Sequence, residues 1–317
     1  MATLAFSGFG TTWQDVLGLL GGDAYAAADV AKRKATVGAG SSTSAIVVTD
    51  TTGFAAADKI NINTGEFAAE GETVVIASIT SSVAGGTDGT LTLDADEGLL
   101  SAAPAAGDVV NDGPEVIERV MVDVEGQIEA RLPSRYSDML RQIGGEILAR
   151  HALGSPTVFT LARAAADASG AGTQWANRTN GTVFLWESLS GRWADRWGKE
   201  LDDADYEVSG QTVTLDASLS DGASLVAQYN YAMTAATAPK CLRQILRKLA
   251  AAEAGRIIGL DTEPSRAQYI DQLREEADAE LERLGGGKQT IPELEKIELY
   301  EDTKHMPGIT IGRMERA

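Results

Sequence analysis

The sequence predicts an α+β protein, a helical-bundle core interrupted by two small all-β insertions and closed by an extended C-terminal tail. Three observations predict it. Apolar residues recur at helical spacing near the beginning, the middle and the end of the 317-residue chain. Between those stretches lie two regions of short runs rich in Val, Ile and Thr, separated by turn residues, each the texture of a small barrel or sandwich. A β unit whose two ends lie close together is tolerated as an insertion in a loop, so the flanking helices read as pieces of one bundle. The order is α–β–α–β–α. Residues 1–40, 113–155 and 237–287 are assigned to the helical core, 41–112 and 156–236 to the two β insertions, and 288–317 to the tail.

The first helix is marked by Trp13, Val16, Leu17 and Leu20, with Thr12 as N-cap and Gly21-Gly22 as the stop. An Ala-rich helical stretch covers 24–33. Ala45-Ile46-Val47-Val48, Lys59-Ile60-Asn61-Ile62, Thr73 to Ile79, Thr90-Leu91-Thr92-Leu93 and Asp108-Val109-Val110 are short strands. A long helix then opens at Pro114, with Val116, Val120, Val124, Ile128 and Leu132 recurring every four residues. It ends before Pro133, because the residue preceding a proline avoids the α region. A further helix is predicted over about 137–153, with Leu140, Ile143, Ile147 and Leu148 inward. The alternation of Val208, Val213 and Leu215, then Leu225, Ala227 and Tyr229, predicts a half-buried hairpin. Leu242, Ile245, Leu246, Leu249, Ile257 and Ile258 make the stripe of the next helix, and Tyr269, Ile270, Leu273, Ala277, Leu281 and Leu284 that of the last. Gly285-Gly286-Gly287 stops it, and the tail places Ile309 and Ile311 on one side.

A net charge of −19 keeps such a chain in solution by self-repulsion and repels nucleic acid and acidic membranes on average. Scarce lysine and abundant small acidic residues suit a halophilic host, and high-GC codon usage accounts for the same bias. No apolar run is long enough to span a bilayer, and the opening residues carry no signal-peptide pattern. The one cysteine, Cys241, excludes an intrachain disulfide and a cysteine-based zinc site. His151 and His305 lie in unrelated contexts. No nucleophile-elbow, zinc-protease or phosphate-loop pattern is present, so the chain reads as a non-enzyme without cofactor or metal. Turn sequences at 85–89 and 94–98 are only faintly like calcium loops and lack the terminal acidic ligand.

Two constellations are candidate sites. Lys240, Arg243, Arg247, Lys248 and Arg256 put basic charge on one helix of an acidic protein. They offer a docking surface for an acidic neighbour, such as an adjacent subunit, or a solvated face of local ion pairs. Trp175, Trp186, Trp193 and Trp197 crowd the second β region beside Arg178, Arg192 and Arg196. They are either core or interface aromatics, or a platform that stacks sugars and binds a cell surface.

Four segments carry a resemblance: Trp13-Gln14-Asp15-Val16-Leu17-Gly18-Leu19-Leu20-Gly21; Ile128-Glu129-Ala130-Arg131-Leu132-Pro133-Ser134-Arg135-Tyr136; a following helix at either 139–153 or 239–258; and Tyr269-Ile270-Asp271-Gln272-Leu273 through Leu284-Gly285-Gly286-Gly287-Lys288. With the β regions set aside, the chain resembles the head–tail connector (adaptor) family of tailed phages and archaeal tailed viruses. The β regions themselves are similar to small modules of virion proteins, and the two inserts depart from the usual compact adaptor. The resemblance implies a virion structural protein, made in the host cytoplasm and located in the neck. It implies a homo-oligomeric ring, commonly a dodecamer, between the portal protein and tail or stopper proteins. That ring lines the DNA channel without reading sequence and without touching a membrane. The alternative function is a glycan-binding virion module built on the tryptophans.

Overall fold

A computed structural model describes residues 8–21, 27–63, 72–81, 88–133, 136, 138–140, 142–150, 152–154, 156–165, 180, 182–188, 199–231 and 237–297. The chain forms two compact units, one of residues 11–128 and 244–280, the other of 1–10, 129–243 and 281–317. Helix makes up 36% of the described residues, and a β-sheet organises each unit. The predicted helical-bundle core is therefore corrected: the β regions are the frameworks of the fold rather than insertions into a bundle.

The first unit is built on six antiparallel strands: β1 (Lys34–Thr36), β2 (Ala45–Val48), β3 (Lys59–Asn63), β4 (Glu72–Ser81), β5 (Gly89–Leu93) and β6 (Val109–Asn111). Their order across the sheet is β1-β6-β3-β4-β5-β2. The sheet curls into a half-barrel. Its two edges meet at one corner, where Val37 bridges Val48 and the Gly38 N–H donates to the Val47 carbonyl at 2.8 Å. Curling turns one side chain of each alternating pair inward. Ile46, Ile60, Ile62, Ile76, Leu91 and Val110 fill the concave side and are fully buried. A register shift between Ile76 and Ser78 bends β4 against β5.

Helix α1 (Trp13–Gly18) opens with a reciprocal cap in this unit. Thr12 Oγ1 accepts the Asp15 N–H at 3.2 Å, and Asp15 Oδ2 accepts the Thr12 N–H at 3.0 Å. Helix α2 (Ala27–Val30) crosses the start of α3 (Gly113–Arg131) so closely that a Cβ on Gly113 would stand 1.9 Å from the Ala27 carbonyl oxygen. Only glycine fits there. Asp112 fixes the same junction, its Oδ1 accepting the Lys32 and Arg33 N–H groups at 2.9 Å each. Arg33 also reaches Asp58 at 2.9 Å. Helices α4 (Lys240–Ile258) and α5 (Pro264–Gly285) run antiparallel through the unit, close enough that a Cβ on Gly255 would meet Ile270 at 2.8 Å.

The second unit holds two sheets. Strands β7 (Gln142–Ala149), β9 (Phe184–Ser188), β10 (Lys199–Glu200) and β13 (Ser224–Asn230) run in the order β10-β9-β13-β7. Strands β8 (Val158–Thr160), β11 (Tyr206–Ser209) and β12 (Thr212–Leu215) run β11-β12-β8. The predicted helix over 137–153 is absent: its centre is β7, paired to β13. Gly144-Gly145 weakens a helix there, with Gly145 at φ +87, and β13 supplies a full ladder instead. The hairpin of β11 and β12 turns at Gly210-Gln211, with Gly210 at φ +60 as a two-residue turn requires. Strand β13 is no partner in that hairpin. It lies between β9 and β7, and Leu225, Val226 and Ala227 are all buried, so its apolar run does not alternate.

The start of the predicted extended tail is ordered on this second unit. Ile291, Leu294 and Ile297 are buried around the short helix α6 (Pro292–Glu295). Ile309 and Ile311 lie outside the described residues, as do His151 and His305.

Candidate functional site

The five basic residues of α4 separate into two groups. On a helix that advances about 100° per residue, Lys240, Arg243 and Arg247 share a stripe, Lys248 turns away from it, and Arg256 lies further round. Three of them are held inside the first unit. Arg247 reaches Asp15, its Nη2 donating to the Asp15 carbonyl at 3.3 Å. Lys248 Nζ lies 2.8 Å from Glu280 and 3.2 Å from Glu276 on α5. Arg256 pairs with Glu253 at 3.3 Å and approaches Asp271 at 3.7 Å. The Glu280 hydrogen bond is the largest influence raising the Lys248 pKa above its ordinary value. On the other side, Glu276 is lowered by Gln272 first and Lys248 second. These contacts tie α4 to α1 and α5.

Lys240 and Arg243, in the second unit, form no ion pair among the described residues. Lys240 is exposed on the first turn of α4, and the Arg243 Nε is buried without an acceptor. Among the described residues they are the part of the predicted basic cluster left without an ion pair. Cys241 stands between them, half-buried.

Of the tryptophans, Trp186 is described. It lies on β9, 6% exposed, with its ring stacked on Phe184 at a centroid distance of 6.0 Å. It is a core aromatic. Trp175, Trp193 and Trp197 lie outside the described residues, as do Arg178, Arg192 and Arg196.

A buried polar cluster in the second unit was not foreseen. Glu146 on β7 is 6% exposed, and Tyr229 on β13 is fully buried. The Tyr229 hydroxyl donates to Glu146 Oε2 at 2.5 Å and accepts the Arg163 N–H at 3.2 Å, while Glu146 Oε1 accepts the Ala162 N–H at 2.8 Å. Burial raises the Glu146 pKa, against the lowering effects of Tyr229, the Ala162 N–H and Arg163. The same burial, with the adjacent carboxylate, raises that of Tyr229. Tyr231 is pushed up to about 12 by burial, and its hydroxyl donates to the Met139 carbonyl at 2.5 Å. Every oxygen of the pair is occupied by a structural partner, so the cluster cross-links β7, β13 and the chain after β8. Eighty-three residues separate Glu146 from Tyr229, and no local pattern in the sequence joins them.

Among the described residues no group of three or more His, Cys, Asp or Glu is placed to hold a metal ion, and no helix is long and apolar enough to cross a membrane. No protein family, curated protein or solved structure matches the chain.

Proposed function

We propose that the chain is a structural subunit of a virus particle, a head–tail adaptor that closes with copies of itself into a ring between portal and tail. The observation that carries this reading is the pair Lys240 and Arg243. Copies of a chain with net charge −19 repel one another, so a contact between them needs a local reversal of sign. Lys240 and Arg243 supply it at the start of α4, where no acidic residue of the described chain neutralises them. One basic patch meeting an acidic surface elsewhere on the next copy is a head-to-tail contact, and such contacts close into rings when the rotation allows. The acidic remainder suits a channel for DNA, because a wall that bound phosphates would retain the genome. The resemblance of the helical segments at 13–18 and 264–285 to adaptors supports a place between portal and tail, with α4 as the intervening helix because β7 occupies 142–149. A glycan-binding platform gains no support from Trp186, whose ring is buried.

The test is charge reversal. Lys240→Glu with Arg243→Glu weakens self-association by about tenfold or more, through lost attraction across the contact. Arg256→Glu, which breaks ion pairs within one copy, leaves association within about twofold. Mass photometry over a concentration series reads both. Unchanged assembly in the double variant would remove Lys240 and Arg243 as the contact.

A further inference from the structure

We infer that residues 291–297 form an arm that each copy exchanges with its neighbour, so that the ring is held by traded segments as well as by α4. This inference rests on the ring reading above. The arm grips the second unit through Ile291, Leu294 and Ile297, all buried within seven residues of chain. A residue of the receptor makes the polar latch: the Tyr136 hydroxyl donates to Glu295 Oε1 at 2.8 Å and accepts the Ile291 N–H at 3.3 Å. A second latch runs from the Arg163 guanidinium to the Glu293 carbonyl at 3.4 Å. The receptor is thus built from residues 136 and 163, more than a hundred positions earlier in the chain.

The arm has no stability of its own, since a four-residue helix does not hold without tertiary support. The chain leading to it, 285–290, is exposed at every position. Its backbone bonds to the end of α5, such as the Lys288 N–H to the Arg283 carbonyl at 2.9 Å, face water, which replaces them when the stretch opens. Six residues span at most about 20 Å when extended, a reach suited to an adjacent copy. Exchange preserves every arm contact while turning an intramolecular one into a link between copies, which is why swapped segments are a low-cost route to assembly.

Cross-linking tests this. Cysteines at Ala162→Cys and Glu293→Cys, with Cys241→Ser, flank the second latch without removing its backbone partner. A short bis-maleimide applied to the assembled protein is expected to give covalent dimers and higher species on a denaturing gel. The dilute monomer gives an internally linked single chain. Assembled protein that yields only internally linked chains overturns the exchange and leaves the ring reading standing. A chain that assembles at no concentration overturns both. A second variant, Leu294→Asp, expels the arm and is expected to weaken assembly about tenfold or more while circular dichroism stays unchanged. Assembly as tight as that of the unaltered chain overturns the exchange.

Discussion

Replacing Tyr229 with phenylalanine removes one oxygen from the buried cluster and leaves the ring in place. Two hydrogen bonds go with it. Glu146 Oε2 loses a donor at 2.5 Å, and the Arg163 N–H loses its acceptor at 3.2 Å. A hydrogen bond to a charged group contributes about 1.5–3 kcal/mol, and an orphaned buried donor adds about 1 kcal/mol or more, so the expected cost is roughly 2–4 kcal/mol while Glu146 is ionised. The sign of the pH dependence follows from Glu146. Its folded pKa lies above the ordinary 4.5, so the folded state holds the proton more tightly than the unfolded one. The stability this group contributes is complete below about 4.5 and is lost as pH rises through its folded value. Because Tyr229 opposes that rise, the cost of Tyr229→Phe grows over the same interval. Urea unfolding followed by tryptophan fluorescence reads the effect, since Trp186 lies buried on β9 of the second unit. A double-mutant cycle with Glu146→Gln is expected to show a coupling of about 1–2 kcal/mol at neutral pH, shrinking below about pH 4.5. Costs that add to within about 0.5 kcal/mol at both pH values would refute the linkage.

Three further outcomes bear on the fold. Gly113→Ala forces a methyl group against the Ala27 carbonyl and is expected to cost about 3 kcal/mol or more. Gly126→Ala, in the same helix with open space around it, is expected to stabilise by about 0.5–1 kcal/mol; thermal melting compares the two. Leu91→Ala empties a fully buried position in the half-barrel and is expected to cost about 2–5 kcal/mol, whereas Leu99→Ala, at a site 45% exposed, stays within about 0.5 kcal/mol in chemical denaturation. Thr12→Ala removes the reciprocal cap of α1 at an expected cost of about 1 kcal/mol, read as faster amide exchange at Asp15 and Val16.

Local structure was legible where the physics is local. Thr12 at the N-cap before Trp13 marks the first helix, and the short run Thr90 to Leu93 marks a strand whose burial alternates. The long stripes of α4 and α5 were read correctly as helices. What the stripes do not reveal is that α4 and α5 pack on each other and on α1, while the half-barrel fills its own concave side. The order β1-β6-β3-β4-β5-β2 sets Lys34 opposite Asn111, a pairing that no short window encodes. The sequence of β7 favours a helix for a definite reason. Leu140, Ile143 and Ile147 fit a period near four, and two register shifts in the β13 pairing spoil the alternation that would have argued for a strand. Ile291, Leu294 and Ile297 recur every three residues, yet the polar sequence around them reads as a segment without anchors. Of the candidate site, the residue types and the i,i+3 pair of Glu253 with Arg256 are visible in the sequence, but the ion pairs of Arg247 and Lys248 depend on α1 and α5. The sequence alone could not show that Lys240 and Arg243 stand apart from them.

The most direct test of the assembly role is electron microscopy of the purified chain under conditions where mass photometry detects association. A closed ring of identical copies, with a central channel and head-to-tail contacts, is the expected result. A population of single copies at every concentration, or closed two-fold dimers whose contact leaves no surface to extend, would contradict it.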